Sequence, residues 1–456
     1  MQTGLLSTGR LSICAAALGL LLLPLPAAAA NYTVDCSGQT TGAFTSINAA
    51  LAAAVADPAT GDRYILLRGN CTENVAIGGG VHRVWIAPEW DSCPWNGCTT
   101  NGVPAQITAA NAGQPVIAVS GASDVTLVHL ALGGGTVGLS ITGASVTAYG
   151  VTAQNNQQSG IVVDIGGSLV LAEGGSHDNL GAGLTVGSGS NATFYGQASW
   201  LQNKPLVLSG NSYAGLQVDR AMVNGGGGTR VEGNKGPGIL AFGGNVLFGA
   251  VANAPTVVSG NDTGAYLSEG SQASLWGSTT FSDNRAIGVY AEKSSHVGLY
   301  GIVVEGHTED GVNVAMNSQV AFHGSNKIRD NGSAATPWSA GVRIDGSSNG
   351  FLDQGVDPAG PSTISGNTGP GILVDLSSSI DARSAVIQDN TGEGVRVRRG
   401  SAATVGRGAT LRPNGSGPIS CDRSSNVFAD RLRRSPACWN VEPEGDPRPP
   451  RPIVGQ

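Results

Sequence analysis

Short runs of alternating apolar and polar residues recur along most of the chain, separated by Gly, Asn, Ser and Asp. Each run opens with a glycine, followed by an apolar residue, a variable residue and a second apolar residue. The opening glycines are Gly138, Gly160, Gly183, Gly215, Gly238, Gly264, Gly288, Gly311, Gly341, Gly371 and Gly394. Their most frequent interval is 23 residues, and longer intervals indicate insertions. This alternation predicts strands with one buried face.

An asparagine usually lies four residues before the glycine. It occurs at Asn156, Asn179, Asn211, Asn234, Asn284, Asn367 and Asn390. Equivalent residues of adjacent coils in a solenoid stack about 4.8 Å apart, so we predict a ladder of amide hydrogen bonds along the axis. His307 replaces asparagine in one coil, either as a ladder substitution or as a proton-transfer group beside Glu309 and Asp310.

A short repeat of strands without intervening helices predicts an all-β fold, a parallel β-helix in which each coil pairs with the next. We assign this solenoid to residues 61–420. Residues 31–60 are the predicted N-terminal cap, because Phe44, Ile47, Leu51 and Val55 have the spacing of an amphipathic helix. Residues 421–441 are a predicted disulfide-bearing C-terminal cap, and the Pro-rich residues 442–456 a predicted disordered tail.

The first 30 residues have the features of a signal peptide. Arg10 supplies the positive charge, residues 11–23 the apolar stretch and residues 28–30 a small-residue cleavage site. The apolar stretch is short and is followed by Pro24 and Pro26, so we expect no membrane span. We therefore predict a secreted protein, extracellular or periplasmic.

Six cysteines follow the predicted cleavage site, and an even number in an exported chain is typical of disulfides. They are Cys36, Cys71, Cys93, Cys98, Cys421 and Cys438. Proximity in the sequence favours pairing Cys93 with Cys98 and Cys421 with Cys438, which leaves Cys36 for Cys71. Free buried thiols are the alternative.

The segment FTSINAAL at residues 44–51, followed by strands and by Gly-x-Gly-apolar coils that end in Asn, resembles the right-handed parallel β-helix, or pectin-lyase-like, superfamily. The resemblance extends over residues 44–405. It implies a single-stranded right-handed parallel β-helix with an N-terminal capping helix. The superfamily contains polysaccharide lyases, glycosidases, epimerases and adhesins, so the fold does not select a function.

Composition excludes two other classes of protein. The 456 residues are 40% hydrophobic and 12% charged, which is not the composition of a disordered chain. There are 25 Lys and Arg against 32 Asp and Glu, giving a net charge of -7. Because no segment is rich in Lys and Arg, the sequence does not predict a positively charged surface that would bind the phosphates of a nucleic acid.

The second and fourth positions after each glycine are predicted to point outward. They place Arg343, Asp345, Asp375, Arg396 and Arg398 in one charged patch on three consecutive coils. Two adjacent carboxylates repel unless a cation or an arginine separates them or one of them is protonated. Asp345 and Asp375 are therefore candidate calcium ligands or an acid/base pair, with Arg343 or Arg396 on a substrate carboxylate. The alternative is a salt-bridge lattice between coils.

Rings recur at two outward positions. The candidate substrate-binding residues are Tyr195, Tyr266, Tyr290, Trp276, Tyr300 and His323. Of these, Trp276, Tyr300 and His323 fall on three consecutive coils, where exposed rings would stack on sugar faces. The alternative is that the rings stack on each other and only stiffen the solenoid.

These observations leave three hypotheses for function. The first is a secreted protein that binds polysaccharide along one face of the solenoid through its rings. The second is a lyase or glycosidase that acts on an acidic polysaccharide at the charged patch, with or without calcium. The third is a structural or adhesion protein without catalysis.

Overall fold

The computed structural model describes residues 29–57, 61–89, 104–196, 204–250, 253–353, 360–406 and 408–429. Within these residues the chain forms a parallel β-solenoid of three long sheets, which we call sheets A, B and C. Sheet A has 16 strands and sheets B and C have 14 each, so the solenoid has about 14 turns. The chain visits sheet A, then sheet B, then sheet C in each turn. The predicted all-β parallel solenoid is confirmed.

The strands have the following bounds in chain order. Sheet A contains Ala30–Asp35, Arg63–Arg68, His82–Pro88, Ser123–Val128, Ser145–Tyr149, Ser168–Ala172, Asn191–Tyr195, Met222–Gly225, Asn245–Ala250, Gln272–Gly277, His296–Tyr300, Gln319–His323, Asn349–Asp353, Ser379–Ala382, Ala402–Val405 and Asn426–Ala429. Sheet B contains Cys71–Thr72, Ala105–Thr108, Leu130–Gly133, Thr152–Gln154, Gly174–His177, Leu206–Ser209, Thr229–Glu232, Thr256–Ser259, Thr279–Ser282, Val303–Glu305, Lys327–Arg329, Ser362–Ser365, Ala385–Gln388 and Thr410–Leu411. Sheet C contains Val75–Ile77, Ile117–Ser120, Leu139–Thr142, Ile161–Asp164, Leu184–Val186, Leu216–Asp219, Ile239–Phe242, Ala265–Ser268, Val289–Ala291, Val312–Val314, Val342–Ile344, Ile372–Val374, Val395–Val397 and Ile419–Cys421.

The repeat in the sequence determines the register in which the strands of each sheet pair. The residue after each opening glycine pairs with its equivalent one coil away, as Leu139 does with Ile161 and Ile161 with Leu184. These apolar residues are fully buried and belong to one continuous core along the axis. Alternate residues face outward, so a position counted from the glycine specifies both a sheet and a face.

The predicted asparagine ladder is present along the turns between sheets B and C. The Asn156 backbone N–H and Nδ2 both donate to Asn179 Oδ1, at 3.0 Å and 2.9 Å. The same pair of bonds joins Asn211 to Asn234. The amides therefore supply buried turns with the hydrogen bonds that a sheet ladder supplies elsewhere.

His307 occupies one rung of this ladder and is buried. Its Nδ1 accepts the Asn284 backbone N–H at 3.1 Å, and its own backbone N–H donates to Asn331 Oδ1 at 3.2 Å. Burial lowers the pKa of His307 to about 4. This placement favours the ladder-substitution alternative for His307.

The helix of the described residues is Ile47–Ala56, and it begins three residues later than the predicted segment at Phe44. Ser46 accepts the Ala49 N–H as the N-cap. The Glu73 carboxylate accepts the Ile47 and Asn48 backbone N–H groups, which ties the helix to the first coil. Its role as the cap of the solenoid stays a prediction.

The predicted disulfide between Cys36 and Cys71 is confirmed. Cys421 is also disulfide-bonded. Cys93, Cys98 and Cys438 lie outside the described residues, as do residues 1–28 of the predicted signal peptide and residues 442–456 of the predicted tail. In the part of the chain that the structure describes, no helix has the length and hydropathy to cross a membrane.

Candidate functional site

The predicted ring residues lie on two different faces of the solenoid. We call the outward side chains of sheet A the A face and those of sheet C the C face. Trp276, Tyr300 and His323 are paired in register on sheet A. Tyr266 and Tyr290 are paired in register on sheet C. The rings therefore do not form one continuous platform, and each face has to be considered separately.

Arg343 lies on the C face but is not exposed. Only 1% of its surface is accessible, whereas the outward register predicted an open position. Its Nε donates to Asp310 Oδ2 at 2.8 Å, and its Nη2 donates to the Trp338 carbonyl oxygen at 2.7 Å. Asp310 and Trp338 belong to connections from sheet B to sheet C that fold over the C face. The expected open patch is thus wrong at Arg343, because these connections cover its guanidinium.

Asp310 is the centre of this buried cluster. Besides Arg343, its carboxylate accepts the Asn313 Nδ2 at 2.6 Å and the Ala340 backbone N–H at 2.7 Å. Burial would lower the pKa of Arg343, but Asp310, followed by Asp345 and Asp375, raises it above its ordinary value. The salt bridge between Arg343 and Asp310 therefore holds the connection that carries Trp338 in place.

Three of the remaining charges of the predicted patch, Asp375, Arg396 and Arg398, form salt bridges with each other or with neighbouring charged residues. Asp375 is buried, and its carboxylate accepts the Arg398 Nε at 2.9 Å and the Arg399 Nε at 2.5 Å. Burial would raise the pKa of Asp375, but Arg399 and Arg398 hold it below its ordinary value. Arg396 donates from Nε and Nη2 to Glu393 at 2.9 Å and 3.0 Å.

This arrangement favours the salt-bridge lattice that the sequence left as an alternative. The Asp375 carboxylate is committed to two guanidinium groups, and Asp345 contributes to the charge around Arg343. Across the described ranges, no group of three or more His, Cys, Asp and Glu side chains could hold a metal ion. Calcium binding by Asp345 and Asp375, and catalysis by these two residues with Arg343 and Arg396, stay predictions.

A carboxylate held by two tyrosines lies further along the C face. Glu292 is buried and accepts the Tyr266 hydroxyl at 2.6 Å and the Tyr290 hydroxyl at 2.8 Å, with Ser268 Oγ at 3.2 Å. Burial and the Glu292 carboxylate raise the pKa of Tyr266 well above its usual value. Burial would raise the pKa of Glu292, but the two phenols and Lys293 lower it overall. Both tyrosine hydroxyls are thus occupied within the protein.

Trp276 on the A face is exposed over 42% of its surface. A Cβ atom on Gly249, its register neighbour, would collide with Cδ2, Cε2 and Nε1 of the indole. Because these atoms surround the centre of the ring system, the indole lies with one face on the Gly249 backbone. Its opposite face is turned to solvent. Because Gly249 has no side chain, it leaves the space that the indole needs in order to lie flat on the sheet.

Tyr300 and His323 are arranged differently from Trp276. Their ring centroids are 4.6 Å apart with an interplanar angle of 14°, so the two rings stack on each other along the axis. Tyr300 remains 41% exposed, and His323 is half-buried. Tyr195 is also half-buried, several coils earlier on the same sheet. Tyr300 and His323 thus follow the self-stacking alternative, whereas Trp276 alone of these residues presents an indole face.

Sequence reasoning missed Glu292 and Trp338, and it named Asp310 only as a neighbour of His307. Glu292 lies at the fourth position after its glycine, and its pairing with Tyr266 and Tyr290 was readable from the repeat register. Asp310 and Trp338 lie in connections whose path over the C face no periodic pattern specifies. Trp338 is 44% exposed and lies away from the A face, which makes it a natural control for Trp276.

Comparison with known proteins gives one family model, over residues 247–429. Its description is "Periplasmic copper-binding protein (NosD)", and the match covers less than half of the chain. No curated protein matches the chain.

Several solved structures resemble the chain. The Azotobacter vinelandii mannuronan C-5 epimerase AlgE6 A-module is 15% identical, with 84% of this chain and 94% of that chain covered and a TM-score of 0.36. The Dettilon tailspike protein is 12% identical, with 87% and 68% covered and a TM-score of 0.28. A GH87 alpha-1,3-glucanase catalytic domain is 12% identical, with 88% and 68% covered and a TM-score of 0.25. Similarity this low carries no argument about activity.

In the described part of the matched segment, no group of three or more His, Cys, Asp and Glu side chains could hold a metal ion. His307 is buried in the asparagine ladder, and His323 is stacked on Tyr300. His296 is exposed in a different row of the A face. We therefore assign no copper chemistry to these side chains. The family-model match and the three parallel sheets together confirm the predicted resemblance at the level of the superfamily.

Proposed function

For this chain, a protein of the right-handed parallel β-helix (pectin-lyase-like) superfamily, we propose that the function is to bind polysaccharide along the A face. The observation that carries the proposal is the geometry of Trp276. Its indole is supported from below by Gly249 and is open above. Sugar rings present apolar C–H faces, and an indole face supported in this way is a suitable surface for them.

The contrast with the C face supports the choice of the A face. On the C face the candidate ligand-binding side chains are already bonded within the protein: Arg343 to Asp310, and Tyr266 to Glu292. A ligand there would have to replace bonds that the protein makes for itself. On the A face, Trp276 lies in the same strand as the exposed side chain of Gln272, and the exposed His296 lies in the next strand. Amide and imidazole groups can donate to and accept from sugar hydroxyls.

The proposal includes a location outside the cytoplasm. The Cys36 disulfide is consistent with an extracellular or periplasmic compartment, where such bonds persist. Residues 1–30 supply the export signal in this proposal, and the helix Ile47–Ala56 caps the solenoid. The family model that matches residues 247–429 is described as periplasmic, which agrees with this location.

A second candidate function is processing of an acidic polysaccharide on the C face. The observation in its favour is the carboxylate–phenol pair of Glu292 and Tyr266, groups that take part in proton transfer in many enzymes. Release of reducing ends or of unsaturated products from uronate polymers, lost in Glu292→Gln, would establish it. Loss of that release in Asp345→Asn instead would place the chemistry at the predicted patch.

Affinity electrophoresis tests polysaccharide binding. The wild type, Trp276→Ala and Trp338→Ala are run through gels that each contain one polysaccharide. We expect at least one polysaccharide to retard the wild type and Trp338→Ala, and to retard Trp276→Ala much less. Equal retardation of all three would exclude the A face around Trp276. Retardation by no polysaccharide would overturn the proposal and leave a structural role.

A further inference from the structure

A long part of sheet A carries no charged residue. In eight consecutive strands, from Ser145–Tyr149 to Gln319–His323, all within the described residues, there is no Asp, Glu, Lys or Arg. Their outward positions hold hydroxyl, amide, imidazole, aromatic and small or apolar side chains. Adjacent strands lie about 4.8 Å apart, so this surface is roughly 34 Å long. We call it the uncharged strip.

The absence of charge is specific to sheet A. In the same coils, strands of sheet C include Asp164 and Asp219, and strands of sheet B include Glu232 and Glu305. On sheet A itself, the strand before the strip contains Asp124. Charged side chains make up roughly a quarter or more of an ordinary soluble surface. An exposed surface of this length would therefore normally carry several, and its neutrality calls for a functional reason.

From this neutrality we infer that the polysaccharide bound by the A face is a neutral glycan, without uronate, sulfate or phosphate groups. The inference rests on the proposed function, because it specifies the ligand class of the same face. Recognition of a polyanion requires Arg or Lys side chains, and the strip has none. The net charge of -7 would also repel a polyanion over longer distances.

The groups that the strip does present match a neutral sugar chain. Gln272, His296 and Gln319 form one exposed row in register along the axis. The row containing Trp276 runs parallel to it at the other end of the same strands. Between the two rows lie the small residues Ser274, Gly298 and Ala321, and the Tyr300 ring lies over Gly298. A glycan lying along the axis would meet hydroxyl-binding groups on one side and an indole face on the other.

The experiment compares gels of neutral polysaccharides, such as a glucan and a mannan, with gels of uronate polymers, such as pectate and alginate. Runs are made at pH 8, at low and at high salt. We expect a neutral glycan to retard the wild type and Trp338→Ala, and uronate polymers to retard them much less at equal concentration. Retardation by the neutral glycan should be lost in Trp276→Ala.

A pair of charge variants at one exposed position sharpens the test. In Gln319→Glu and Gln319→Lys a charge of either sign is placed on the strip, and both should weaken neutral-glycan binding by a similar factor. The reason is that either charge loses water when the glycan covers it, whatever its sign. If the ligand were acidic, the lysine variant would bind more tightly and the glutamate variant more weakly.

The remaining outcomes separate the inference from the proposed function. Retardation by a uronate polymer that Trp276→Ala abolishes and high salt weakens would leave the A face as the binding site but overturn the neutral ligand class. Retardation by no polysaccharide at all would overturn the proposed function itself, and the inference with it.

Discussion

The A face and the C face are built from the same repeat, yet they differ in what their outward side chains do. On the C face, Arg343 and Asp375 are buried and paired within the protein. On the A face, Trp276 is supported but exposed, and the strands around it carry no charge. An outward position in a solenoid is therefore available to a ligand only where the connections between strands leave it uncovered.

The connections from sheet B to sheet C account for the difference. Ala182 and Ala214 in these connections pack against Leu240 in a small second core outside the solenoid. Asp310 and Trp338 do the same with polar bonds around Arg343. The C face is thus partly an interior surface, which explains why its charges occur as buried pairs.

The largest effect is expected from removing a partner of a buried C-face charge. Asp310→Ala leaves the Arg343 guanidinium buried without its carboxylate, and breaking such a pair costs about 3–5 kcal/mol. Urea unfolding followed by circular dichroism measures the loss. Phe351→Ala, at an exposed position of the A face, is the control and should stay within about 0.5 kcal/mol of the wild type. Equal losses in the two variants would contradict the distinction between the faces.

The second largest effect is expected in the pH dependence of folding stability, and it comes from His307. The pKa of His307 is lowered to about 4 in the folded protein, while an unfolded histidine has its ordinary value of about 6.5. Between pH 4 and pH 6.5 this histidine is protonated in the unfolded state but not in the folded state. The free energy of unfolding therefore falls as the pH decreases from 6.5 to 4. The loss reaches about 3 kcal/mol, at about 1.4 kcal/mol for each pKa unit.

His307→Asn should remove this acid dependence, because asparagine continues the ladder between Asn284 and Asn331 without titrating. Unfolding free energies at pH 7 and pH 4.5 provide the comparison. His296→Asn, a change at an exposed histidine of the A face, should leave the dependence in place. A His307→Asn variant that is as acid-sensitive as the wild type would assign the effect to other groups.

A smaller effect is expected when the support of the indole is altered and the indole itself is kept. In Gly249→Ala a methyl group occupies the space under Trp276 and must tilt or displace the ring. We expect roughly tenfold weaker glycan binding, about 1.4 kcal/mol, with little change in fold. Gly80→Ala, outside the strip and with no atom within 4 Å of the added methyl group, is the matched control and should bind like the wild type. Unchanged binding in Gly249→Ala would show that the flat position of the indole is not needed.

The smallest effect is the response of binding to salt. Screening at about 1 M ionic strength reduces the range of charge interactions to about 3 Å, but an uncharged strip offers no charge interaction to screen. Glycan affinity of the wild type should therefore be the same at low and high salt, as measured by affinity electrophoresis. A steep decrease with salt would mean that charges outside the strip take part in binding.

The strands were predictable because the solenoid repeats one structural unit, so pairs such as Leu139 with Ile161 follow from the spacing of the glycines. The spacing of the glycines also predicts which outward side chains are neighbours on adjacent strands, such as Trp276 and Tyr300. The burial of Arg343 was not predictable, because it depends on a single connection that carries Trp338 and has no counterpart in the repeat. The flat position of Trp276 depends on Gly249 one coil earlier, which only the register identifies.

Oxidative footprinting with hydroxyl radicals, read out by mass spectrometry, tests most directly whether the uncharged A face is the glycan-binding surface. Trp276 and Trp338 have nearly equal exposure, 42% and 44%, so both should be oxidised at similar rates in the free protein. With a saturating neutral glycan, we predict that oxidation of Trp276 decreases strongly while that of Trp338 is unchanged. Protection of Trp338 alone, or of neither residue under conditions where the glycan retards the protein, would contradict the assignment of binding to the A face.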